Sequence, residues 1–64
     1  MTYTFIEGLV TSGYVFDAIN FDDCWVKKDS EFIHLYQEGE NKNEWNYVKM
    51  NHDFDVLVEE TFSV

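Results

Sequence analysis

Phe32-Ile33-His34-Leu35-Tyr36-Gln37, the polar run Glu38-Gly39-Glu40-Asn41-Lys42-Asn43, and Glu44-Trp45-Asn46-Tyr47-Val48-Lys49-Met50 together decide the fold. In the first run, which opens at Glu31, Phe32, His34 and Tyr36 alternate with Ile33 and Leu35. In the last, Trp45, Tyr47 and Lys49 alternate with Asn46, Val48 and Met50. A period of two belongs to a strand, whose successive side chains point to opposite faces. The polar residues between them carry the Gly and Asn that a chain reversal needs, so the two runs are expected to pair as a hairpin.

The same signature recurs outward in shorter runs. Towards the N-terminus, Asp29-Ser30 is a turn, Cys24 to Lys28 a short strand, and Asp22-Asp23 a break. Tyr14 to Phe21 reads as a strand with Tyr14, Phe16 and Ala18 on one face and Val15, Asp17 and Ile19 on the other. Thr2 to Val10 reads as the first strand with Gly8 as a bulge, and Thr11-Ser12-Gly13 as the turn of a first hairpin. Towards the C-terminus, Asn51-His52-Asp53 is the next break, and the last segment admits two readings. Phe54, Val56 and Val58 alternate as in a strand, whereas Phe54, Leu57, Val58, Thr61 and Phe62 fall at helical spacing behind Asp53 as an N-cap. The β-branched Val56, Val58 and Thr61 lose rotamer freedom in a helix, which favours the strand. The expected fold is all-β, or α+β if residues 54–62 are helical. Its architecture is a four- to five-stranded antiparallel meander forming an SH3-like or OB-like partial barrel. With no Pro and no linker, residues 1–64 are expected to form one small domain.

Composition narrows the function classes. Thirteen Asp and Glu stand against four Lys and no Arg, a net charge of −9, yet 19% of the chain is aromatic, unlike a disordered acidic tail. A domain this small buries only about 60% of its unfolded surface, so self-association, as a homodimer, or a partner is a plausible source of further stability. No apolar run approaches the about 20 residues of a membrane-spanning helix. The segment Met1 to Glu7 lacks a basic region and carries an acid, so no signal peptide is expected. One cysteine, Cys24, makes no internal disulfide, which suits the cytoplasm. Phosphates and anionic lipid surfaces need Lys and Arg, so direct binding to nucleic acid or membranes is not expected.

The candidate chemical sets are sparse. Asn51-His52-Asp53-Phe54-Asp55 begins like a calcium loop, but Val56 and Phe62 stand where Gly and Glu are required. Cys24, His34 and His52 have no metal-ligand spacing, and Asp22 and Asp23 raise rather than lower the pKa of the neighbouring thiol. His34 reads as a half-exposed sheet residue and Cys24 as a small buried hydrophobe. Pairs such as Glu59-Glu60 need a desolvating pocket to act as acid and base, and a chain of this length rarely builds one. The expectation is no enzyme, no cofactor and no metal.

Charge distribution is the informative feature. Residues 1–24 carry −4, residues 25–49 carry −1 and all four lysines, and residues 50–64 carry −4. If the terminal strands are neighbours, Glu7, Asp53, Asp55, Glu59 and Glu60 join Asp17, Asp22 and Asp23 in one negative face. A body of this size spans roughly 25 to 30 Å, and duplex DNA carries about 16 phosphates over that length, about half of them facing one way. In composition, though not in any alignable residues, the chain resembles the small acidic proteins by which phages and other mobile elements block host enzymes. It also resembles the immunity proteins of basic nuclease toxins. Eight carboxylates on one face would match that phosphate density, so the leading expectation is a non-enzymatic inhibitor, a DNA mimic, set on a basic protein such as a nuclease or other nucleic-acid-binding protein, anchored by aromatics such as Tyr3, Tyr14, Trp25, Trp45 or Tyr47. The rival expectation is an assembly module that homo-oligomerises or docks a partner through an exposed aromatic sheet face at Trp25, Trp45 and Tyr47.

Overall fold

The computed structural model describes residues 2–64, as one helix and five strands. The order is α1 (Thr2–Thr11), β1 (Val15–Asp17), β2 (Cys24–Lys28), β3 (Phe32–Glu38), β4 (Glu44–Asn51) and β5 (Val56–Ser63). The strands form one antiparallel meander in the order β1-β2-β3-β4-β5. The expected hairpin is present, with Phe32 opposite Asn51 and Glu38 opposite Trp45. The last segment is a strand, paired from Glu44↔Ser63 to Met50↔Val56 with a bulge at the Lys49/Met50 step. The linear order leaves β1 and β5 as two open edges, and no pairing joins them into a closed barrel among the described residues.

The N-terminal reading is corrected. Thr2–Thr11 is a helix, not a strand with a bulge at Gly8, and Tyr14–Phe21 contributes only the three residues Val15–Asp17 to the sheet. There is therefore no first hairpin. The turn expected at Thr11-Ser12-Gly13 lies in the right place but ends the helix: Gly13 takes φ +94°, its N–H donates to the Val10 carbonyl at 3.1 Å, and the Tyr14 N–H donates to Leu9 at 2.9 Å. That pair of bonds is the Schellman C-cap, for which a residue without Cβ is favoured.

Cross-strand neighbours share a face, so the register sorts the core into two halves. Trp25, Tyr36, Tyr47 and Glu60 lie in one row, beside Trp45 and Phe62 in the next. On this aromatic face α1 seats Phe5 against Trp45, Tyr36 and Phe62, with ring centroids 4.9, 5.4 and 5.6 Å away. Trp45 is fully buried, and its indole N–H finds no acceptor among the described residues. Burying about 200 Å² of indole contributes about 5 kcal/mol, which outweighs the about 1–3 kcal/mol of the unmade hydrogen bond. The opposite face is aliphatic: Cys24, Val26, Ile33, Leu35 and Met50 are buried there, and Phe21 and Val48 pack against them. Phe21 reaches this face from the six-residue connection between β1 and β2.

Short polar side chains fix the connections by taking backbone N–H groups. Asp17 accepts from Ile19 and Asn20 at 3.0 and 2.8 Å, and Asp29 from Glu31 and Phe32 at 2.8 and 2.7 Å. In the β3–β4 loop, Glu44 accepts from the Glu40 N–H at 3.1 Å, and a Cβ on Gly39 would collide with that carboxylate. Asn51 accepts from Asp53 and Asp55 at 2.9 and 3.0 Å. Asn43 joins the chain ends, its carbonyl accepting from the Val64 N–H at 2.9 Å and its side-chain oxygen from the Thr2 hydroxyl at 3.1 Å.

A Cβ on Gly8 would meet nothing within 4 Å. Gly8→Ala is therefore expected to raise stability by about 0.5–1 kcal/mol, the gain for an exposed helix interior, in urea unfolding. A loss of stability would contradict the helical assignment of this segment.

Candidate interaction surface

The eight carboxylates expected to merge into one negative face do not do so. Asp17 lies on β1 and Glu59 and Glu60 on β5, at opposite edges of the sheet and about 19 Å apart at the usual strand spacing. Glu59 and Glu60 are consecutive on one strand and point to opposite faces. Glu60 falls beside the tyrosines and Glu59 opposite Val48 on the aliphatic side. Glu7 is an exposed residue of α1 on the aromatic side. Asp53 and Asp55 sit in the β4–β5 turn, and Asp22 and Asp23 precede β2, both in the left-handed region at φ 52° and 61°. The structure thus arrays the acids around the body instead of gathering them on one side.

Among the described residues the one histidine or lysine nitrogen within 4 Å of a carboxylate is His34 Nε2, 3.3 Å from Asp29 Oδ2, an ion pair only when the ring is protonated. Three lysines are turned onto aromatic rings. Lys49 Nζ lies 4.0 Å from the centre of Phe32, Lys28 5.3 Å from Phe21, and Lys27 5.9 Å from Tyr14 while donating to the Ser12 carbonyl at 2.8 Å. Glu7, Asp23, Asp53, Glu59 and Glu60 have no hydrogen-bond or ion-pair partner for their carboxylates among the described residues. Asp17 and Asp29 differ, being turn-builders. The backbone N–H of Asn20 for Asp17, and those of Phe32 and then Glu31 for Asp29, hold these carboxyls below their ordinary range.

The aromatic residues also divide. Trp45 is interior and cannot anchor a partner, while Trp25 is half-buried under the exposed Phe16, 5.2 Å between centroids. Tyr47 is half-buried and its hydroxyl lies 2.8 Å from His34 Nδ1. Exposed apolar groups also lie elsewhere: Ile19 at 91%, Phe54 at 63%, Val56 at 54% and Leu57 at 51% of full exposure, with Tyr3, Val10 and Val15 exposed too. Phe54 adopts φ +65°, the position after a turn that ordinarily takes Gly, and its ring lies 6.4 Å from Phe21. No pattern in the sequence marks it, because the strain depends on the turn's register.

One polar relay escapes sequence reading because it joins three segments. His34 Nε2 faces Asp29 Oδ2 at 3.3 Å while Nδ1 faces the Tyr47 hydroxyl, so the ring donates to the carboxylate and accepts from the phenol. The order is that of a nucleophile triad, but burial, then Tyr36 and Glu60, push the Tyr47 phenol up, the wrong direction for a nucleophile. Cys24 is likewise pushed up, by burial and then by Asp22 and Asp23, as the neighbouring acids predict. His52 donates to the Asp29 carbonyl at 2.8 Å. Among the described residues no three His, Cys, Asp or Glu converge as a metal site would require, and no helix is long and apolar enough to cross a membrane. An open cleft of about 770 Å³ lies between α1 and the sheet, lined by Phe5, Leu9, Tyr14, Lys27 and Tyr36 among others. Its lysine is already bonded to Ser12. Comparison with protein families, curated proteins and solved structures gives no match.

Two measurements test this description. Phe54→Gly is expected to be more stable than Phe54→Ala by about 1 kcal/mol in urea unfolding, since only Gly occupies the left-handed region without strain. Equal stabilities would remove that strain from the turn. Tyr14 is pushed from its ordinary 10.0 to about 12 by burial and then by Tyr36 and Tyr47. A phenol raised in the folded state stabilises it fully below its unfolded value and loses that contribution as pH climbs from 10 towards 12. Ultraviolet titration should show the last phenolate forming near pH 12. All four tyrosines ionising together near 10 in the folded protein would contradict it.

Proposed function

We propose that the protein is a non-enzymatic acidic inhibitor, acting in the cytoplasm, that occupies the basic, nucleic-acid-facing surface of a partner protein and keeps nucleic acid out. The supporting observation is the disengagement of its charges: three of the four lysines lie on rings and no lysine pairs with an acid among the described residues, so Glu7, Asp23, Asp53, Glu59 and Glu60 remain open to another molecule's cations. The body measures 32 × 21 × 19 Å. A duplex of that length carries about 19 phosphates, and the protein carries 13 carboxylates, a charge density of the same order. Their placement around the body corresponds to a charged rod more than to a charged plane. Steering by such a field speeds encounter with a basic groove and repels nucleic acid itself.

A second reading draws on the exposed Ile19, Phe54, Val56 and Leu57: a module that docks or assembles through apolar contact. Salt separates the two. The immobilised domain should capture proteins from the heparin-binding fraction of a lysate and release nucleic acid from them. That capture should weaken by at least about tenfold between about 50 mM and about 200 mM salt. The variant Asp53→Lys, Asp55→Lys, Glu59→Lys, Glu60→Lys should lose capture while its circular dichroism is unchanged. Undiminished capture by this variant at low salt would overturn the inhibitor reading, and salt-independent capture would favour the apolar one.

A further inference from the structure

The sheet has two edges of unequal character. β1 offers three residues, whereas β5 offers eight, about 26 Å of backbone whose outer N–H and C=O groups have no strand beside them. Long edges in natural sheets are blunted by Lys or Pro, by other charged side chains, by a bulge or by a covering element. Val56–Ser63 contains neither Lys nor Pro, its one bulge lies near its start at Leu57, α1 packs on the sheet face through Phe5 against Phe62, and six of the eight residues are exposed, so the charges that mark this edge are Glu59 and Glu60. Glu59 and Glu60 stand mid-strand, one on each face.

These carboxylates select the occupant. A second copy pairing antiparallel across this edge, centred on them, would set carboxylate against carboxylate, between molecules that each carry −9. A strand with Lys or Arg at the facing positions would turn the same groups into attractive cross-strand pairs, with its backbone completing the ladder. The exposed Val56 and Leu57 at one end of β5 provide contact for apolar neighbours in that strand.

We infer that β5 is a docking edge that adds an extended, cationic segment of a partner protein as a sixth strand, with basic side chains beside Glu59 and Glu60. This rests on the acidic reading above and specifies how the partner is held: by main-chain pairing as well as by charge.

The test uses the whole protein, labelled with ¹⁵N, and two kinds of synthetic peptide, plain and N-methylated. One is Thr-Val-Thr-Lys-Lys-Val-Thr-Val. The other has the same side chains but is N-methylated at alternate peptide nitrogens, in both possible phases, which keeps the charge and removes the backbone donors. The expected result is that amide shifts follow β5, and that N-methylation in one phase weakens binding by at least about tenfold through loss of several backbone hydrogen bonds. Exchanging charges should restore pairing: Glu59→Lys, Glu60→Lys should reject the Lys peptide and bind its Glu counterpart. If methylated and unmethylated peptides bind alike, or the shifts spread over the acidic turns, strand addition is overturned while the acidic reading stands. Absence of binding by the unmethylated peptide overturns strand addition as well.

Discussion

A sheet has two faces, and this chain has ten residues of helix and a six-residue connection with which to cover them. Both are used. Phe5 of α1 fills the space over Tyr36, Trp45 and Phe62, and Phe21 of the connection lies over the aliphatic rows built from β2, β3 and β4. Because little chain is left for either task, each cover depends on one large ring and on the cap that aims it. For α1 the cap is the left-handed Gly13. For the connection it is Asp17, whose carboxylate holds the first turn. Ile19, Phe54 and Leu57 are left exposed.

That scarcity shapes the electrostatics too. With so few apolar residues to close the edges of the core, Lys27, Lys28 and Lys49 lay their stems and ammonium groups over aromatic rings and act as part of the cover. The acids consequently face water without them. Those at turns, Asp17, Asp29 and Glu44, are held by backbone donors and belong to the fold. Those on β5 have no such duty and are open to an outside partner.

The part of the fold that the sequence makes plain is the part in which pattern and environment agree. From β2 to β4 a period of two meets a sheet with dissimilar faces, and Gly, Asn and Asp stand at the reversals, so strand identity and order follow directly, whereas in β5 the same period competes with a helical one and only the β-branched Val56, Val58 and Thr61 tip the reading towards a strand. The N-terminal segment is different because its residues satisfy both periods. Phe5 and Leu9 are four apart and meet the sheet as a helix, while Thr2, Thr4, Ile6 and Val10 favour a strand locally. The aromatic face decides between them, and that face is assembled from residues distant in sequence. The charge argument fails for a related reason. Counting acids by segment gives the right totals, but a meander sends its two edge strands apart, and two neighbouring glutamates on one strand cannot share a side. Main-chain edge character at β5 has no signal in residue type at all; it is a property of where the strand order stops.

The seat of Phe5 also sets an order on synthesis. Every strand pairs with its neighbour in sequence, so the sheet can assemble piece by piece as the chain emerges. The helix cannot follow that schedule. Its resting place includes Phe62, and Asn43 ties Thr2 to Val64, so α1, made before the strands, must wait, apolar side bare, for β5. A ribosome that stalls within β5 would therefore leave the helix with nowhere to dock.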